Sequence, residues 1–107
     1  MIHEHKVEGF TGTIKLRLLK FKERMTTIKT LNLSQKNGEV VISDDDIDRF
    51  EKLADIVKKN IHEMNLKHKK SGEVFKSMDD LEYYAEFALI VNDLGAKLLS
   101  GVQLGNG

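Results

Sequence analysis

The chain has no cysteine, which removes disulfides, thiolate metal sites and cysteine nucleophiles in one step and suits a reducing cytosol. It has no proline and no Pro/Gly/Ser-rich linker, internal repeat or low-complexity tract. Its 107 residues therefore read as one domain, long enough to close a single core without staples. A long apolar run is also missing. The longest, Phe87 to Val91, falls far short of the ~20 residues a membrane span requires. The opening MIHEHKVEG lacks a basic-then-apolar leader. These absences lead us to expect a soluble, cytoplasmic protein.

Net charge is absent as well, since 17 Lys/Arg offset 17 Asp/Glu, yet the charges are unevenly spread. Residues 1–36 carry eight basic and three acidic side chains, and residues 37–107 carry nine and fourteen, balances of +5 and −5. Two readings stay open: segregation across solvated faces, or a polar molecule that docks an acidic partner or copies of itself.

Local pattern predicts an α+β fold: a small antiparallel sheet, two long helices and one short helix. Residues 1–43 read as mostly strands with a short helix. Ile14, Leu16 and Leu18 alternate with Lys15 and Arg17 as a half-buried strand. A strand at Lys6–Phe10 is expected to pair with it through Gly9–Gly12. Phe21, Met25, Ile28 and Leu31 stand at helical spacing, Asn37-Gly38 signals a turn, and Glu39–Ser43 reads as a brief strand. Thr30–Ser34 pairing with Glu39–Ser43 is the alternative.

A helix is predicted over 44–64, capped by Ser43 or Asp44, with Asp44, Asp45 and Asp46 complementing the positive end of its dipole. Its stripe is Ile47, Phe50, Ala54, Val57, Ile61 and Met64, at spacings of 3, 4, 3, 4 and 3. Residues 65–77 read as a hairpin turning at Ser71-Gly72, with Val74 and Phe75 as apolar anchors. Ser77 is expected to cap a second long helix over 78–100, Gly101 to stop it, and 101–107 to be a flexible tail.

That last helix is the most informative stretch. Glu82, Glu86, Asp93, Lys97 and Ser100 form one polar stripe, and nearly everything else around the wheel is apolar, including Leu81, Tyr83, Tyr84, Phe87, Leu89, Ile90, Val91, Leu94, Leu98 and Leu99. A helix so apolar needs cover on several sides. It is the hub of the core, or it meets another chain, with Leu98, Leu99, Val102 and Leu104 as the candidate docking patch. Gly95 within it signals a close approach or a bend.

No catalytic constellation is visible. His3 and His5 flank Glu4 and share a strand face, but a metal site needs a third ligand, and His62 and His68 lie on other elements. Asp44–Asp48 lacks the glycine and glutamate of a calcium loop. No phosphate-cradling glycine motif or nucleophile elbow occurs. Lys15, Arg17, Lys20, Lys22, Arg24 and Lys29 make a basic segment whose one aromatic, Phe21, falls on the apolar stripe, so a solvated face is preferred over a nucleic-acid reader. We therefore expect no enzyme activity and no cofactor or metal.

The order of features carries a resemblance. It runs from the basic, strand-like start through Lys22-Glu23-Arg24-Met25, the acidic helix start and the hairpin at Ser71-Gly72. It continues with Ser77-Met78-Asp79-Asp80-Leu81, then Leu98-Leu99-Ser100-Gly101 and Leu104-Gly105-Asn106. This resembles the small tail assembly chaperones of long-tailed bacteriophages. The resemblance implies a non-enzymatic protein of the host-cell cytoplasm, able to self-associate, that keeps the tape-measure protein soluble until tail-tube subunits polymerise around it. The alternatives are a structural phage protein (head–tail connector or tail-completion factor) and a small nucleic-acid-binding regulator.

Overall fold

The computed structural model describes residues 1–36, 39–41 and 47–102. In chain order the elements are β1 (Ile2–His5), β2 (Phe10–Arg17), α1 (Phe21–Thr30), β3 (Ser34–Lys36), β4 (Glu39–Val41), α2 (Ile47–Lys59), β5 (Ile61–His68), β6 (Val74–Phe75), α3 (Met78–Leu81) and α4 (Glu86–Ser100). β1, β2, β5 and β6 form an antiparallel sheet in that order, and β3 pairs with β4 as a separate hairpin. The fold is α+β.

Alternation along β2 sends Ile14 and Leu16 to the covered face, opposite His5 and His3 of β1 and Met64 and Ile61 of β5. There they join Val57 and Leu53 of α2, Ile28 of α1 and Ile90, Val91, Leu94, Leu98 and Leu99 of α4 in one core. The other face of the sheet is polar. Glu4, Lys15 and Glu63 are register neighbours across three strands, with Lys15 Nζ at 4.0 Å from Glu4 and 3.2 Å from Glu63.

The first hairpin lies earlier than expected. Its leading strand is β1 rather than Lys6–Phe10, and the chain turns within residues 6–9, where Phe10 N–H donates to Val7 O. The expected helix over 44–64 is the largest departure. Asn60 ends α2 by bonding back, its N–H to Val57 O and its Nδ2 to Ile56 O, while its own carbonyl accepts from Arg17 N–H. The chain then runs as a strand. Ile61 and Met64 mimic helical spacing because a bulge intervenes: Lys15 pairs with Glu63 and Leu16 with Ile61, so His62 has no opposite residue. One extra residue lets side chains three apart face the same way on a strand.

The expected helix over 78–100 is broken in two. Glu82 N–H donates to Asp79 O, Tyr84 N–H to Leu81 O and Phe87 N–H to Tyr84 O, all three-residue steps that tighten and redirect the chain between α3 and α4. Ser77 holds the cap position in extended backbone, but its hydroxyl makes no capping bond. The expected turn at Asn37-Gly38 and the cap at Ser43–Asp46 lie outside the described residues.

Two glycines permit close packing. A Cβ on Gly95 would lie 2.8 Å from Leu53 Cδ1, so this glycine is where α2 and α4 approach, and the neighbour is a side chain. Gly101, at φ +76°, ends α4 in the left-handed region, with the Arg24 guanidinium where a Cβ would stand.

Candidate functional site

Leu98 and Leu99, expected in a docking patch, are 1 % exposed and belong to the core. The physical reason is coverage: α1, α2 and β4 all pack on α4, more cover than one helix and a sheet supply. Val102 is 37 % exposed, and Leu104 lies outside the described residues. Apolar side chains exposed elsewhere include Tyr83 at 91 %, Leu89 at 72 % and Ile47 at 71 %. Leu89 falls between Glu86 and Asp93 on the polar stripe of α4, and Tyr83 sits in the break between α3 and α4.

The histidine pair forms a seam. His5 Nε2 lies 2.6 Å from Asp93 Oδ2 on α4, and the His3 and His5 rings are 6.2 Å apart. Burial, then the nearby Lys97 charge and His5, hold His3 below the ordinary imidazole value. No group of three or more His, Asp or Glu able to hold a metal occurs among the described residues. His62 is exposed on β5. His68 is half-buried, its ring edge-on to Phe10 at 5.1 Å and its Nδ1 accepting from Ser71 N–H at 3.2 Å.

Two members of the basic segment, Lys15 and Arg24, are engaged at separate places. Lys15 is paired on the open sheet face. The Lys20 backbone N–H donates to Glu23 Oε1 at the start of α1. Arg24 lies at the carboxyl end of α4, where a cation complements the helix dipole, with its guanidinium 5.8 Å over the Phe21 ring. Phe21, expected on the apolar stripe, is 67 % exposed.

What the fold does assemble is a ridge at residues 82–85 with a depression on either side. One is an open groove of about 450 Å³ between α2 and the start of α4. Its apolar lining is Ile47, Phe50, Ala54 and Phe87, with Phe50 and Phe87 edge-to-face at 6.1 Å. Glu51, Asp55 and Glu82 supply carboxylates around it. Lys58 closes one end: its Nζ lies 2.7 Å from Asp79, 2.6 Å from Glu82 and 5.8 Å from the Phe87 ring centroid. The hydrogen bonds to Asp79 and then Glu82 raise its pKa, so the ammonium is already committed.

The other depression, about 220 Å³, lies between the β5–β6 hairpin and Tyr84. Phe75 and Leu81, both buried, line it, and the Tyr84 ring stands edge-to-face against Phe75 at 5.4 Å. The Tyr84 hydroxyl donates to Glu73 Oε2 at 2.6 Å, a bond that raises the phenol pKa.

The sequence pattern places Phe50 and Phe87 on apolar helix faces, and nothing in it singles out Glu73. Adjacency of Tyr83 and Tyr84 was no guide, since the adjacent pairs Ile90-Val91 and Leu98-Leu99 of α4 are buried together. No protein-family model, curated protein or solved structure matches this chain. Among the described residues, no helix is long and apolar enough to cross a membrane.

Proposed function

We propose that this protein is a non-catalytic assembly chaperone that binds an apolar helical segment of a partner in the groove between α2 and α4. The observation carrying the reading is the groove itself, with exposed Ile47, the Phe50–Phe87 pair and a surrounding set of carboxylates. An amphipathic helix with basic flanks is the complementary occupant: its apolar face meets the aromatic pair, and its Lys or Arg residues meet Glu51 and Asp55. The resemblance to phage tail assembly chaperones supplies the specific partner. A tape-measure protein, long and apolar along its helices, needs such shielding in the host cytoplasm until tail-tube subunits displace the chaperone.

Co-expression tests this. A tape-measure protein co-expressed with this chain should remain soluble with the wild-type protein and precipitate with Ile47→Glu. Equal rescue by both forms would remove the groove from the interaction, and no rescue by either would remove the chaperone reading.

A further inference from the structure

We infer that the small pocket across the ridge is a receptor for the guanidinium of an arginine side chain carried on another protein. The inference stands apart from the groove, because it rests on different residues and is tested with a head-group probe. Size comes first. About 220 Å³ is below the roughly 300–1,000 Å³ typical of sites that enclose a whole small-molecule ligand, so the pocket takes a terminal group rather than a cofactor.

Charge comes second. Glu73 and Glu86 both line the pocket, and neither forms a salt bridge among the described residues. Tyr84 occupies one oxygen of Glu73 and thereby orients the carboxylate. Lys58 lies outside this lining and is held by Asp79 and Glu82. His68 Nδ1 is occupied by the Ser71 backbone N–H.

The lining decides the shape of the cation. Phe75 lines the pocket against the Tyr84 ring, and Tyr84, 42 % exposed and hydrogen-bonded to Glu73, supplies the accessible aromatic surface along which an aliphatic stem can lie. A planar, weakly hydrated guanidinium stacks on such a ring and donates in a fork, whereas a compact ammonium does neither as well. Among the described residues no group of three or more His, Asp or Glu is placed to hold a metal, so these carboxylates do not make a metal site.

The experiment is an amide NMR titration of the full chain with N-acetyl-arginine amide, its uncharged isostere N-acetyl-citrulline amide, and methylguanidinium. Saturable shifts at Glu73, Tyr84 and Glu86 are expected with the arginine probe and not with citrulline. Affinity should fall about tenfold or more in a Glu73→Gln/Glu86→Gln variant whose melting temperature is unchanged. Absent shifts, equal shifts with citrulline, or shifts that survive the double variant would overturn the assignment. Binding of methylguanidinium as tightly as the arginine probe would overturn its attribution to a side chain, because the stem would then contribute nothing.

Discussion

Gly95 of α4 presents bare backbone to Leu53 of α2, and a Cβ there would meet Leu53 Cδ1 at 2.8 Å, Cδ2 at 3.0 Å and Cγ at 3.1 Å. Leu53 is 2 % exposed, so its branched end has little room to move. Alanine would gain about 1 kcal/mol of helix propensity and lose about 1–3 kcal/mol to overpacking. Gly95→Ala should therefore destabilise by about 1 kcal/mol in urea unfolding. In a Leu53→Ala background, itself costing about 2–5 kcal/mol, the same change should become neutral or stabilising.

The assignment of Leu98 and Leu99 to the core separates them from the surface residues. Leu98→Ala should cost about 2–5 kcal/mol and lower the melting temperature by roughly 10 °C or more. Ile47→Glu and Leu89→Glu, at 71 % and 72 % exposed positions, should stay within about 0.5 kcal/mol of wild type. Equal melting losses in both sets would contradict the packing described.

Gly101 adopts a backbone conformation that side chains disfavour, and the Arg24 guanidinium fills the space beside it. Gly101→Ala should cost about 1–3 kcal/mol. Arg24→Ala should cost less, about 0.3–1 kcal/mol, and that smaller loss should shrink as salt is added.

His3 supplies a pH dependence. Its folded-state pKa is below the ordinary 6.5, with Lys97 of α4 and His5 of β1 as the facing charges and burial the first cause. The unfolded chain then binds more protons than the folded one as pH falls through 6.5. The contribution is complete above that value and is lost towards and through the lower folded value. Between about pH 7.5 and pH 5.5, unfolding free energy should decline less in His3→Gln than in wild type.

Lys58 ties α2 to the α3–α4 junction, but Asp79 and Glu82 are 75 % and 49 % exposed, so solvent screens both pairs. Lys58→Ala should cost about 1 kcal/mol, and Lys58→Met less, because it retains contact with Phe87. Double-mutant cycles against Glu82→Gln should give coupling that fades in high salt.

Much of the fold was legible. The alternation of Ile14 and Leu16, the stripe from Ile47 to Val57 and the apolar run of α4 each state their element locally. Two boundaries were not. At Asn60 no glycine or proline marks the change from helix to strand, and the bulge at His62 counterfeits helical spacing. At Glu82–Ala85 a helix-forming sequence is redirected by tertiary contacts, among them the Tyr84–Glu73 hydrogen bond and the Phe75–Tyr84 ring pair. The groove was hidden because it joins α2 to residues 82 and 87, and the pocket, lined within residues 68–86, because it depends on the break at Glu82–Ala85.

Composition and periodicity by themselves determined that this chain closes one cysteine-free α+β core around its last long helix, because spacing at 2.0 or 3.6 residues dictates which side chains share a face. Which of those faces stay uncovered was decided only in three dimensions. Packing of α1, α2 and β4 on α4 removed Leu98 and Leu99 from the surface and left Ile47, Tyr83 and Leu89 upon it. Exposure is a property of neighbours, and neighbours are set by the tertiary arrangement.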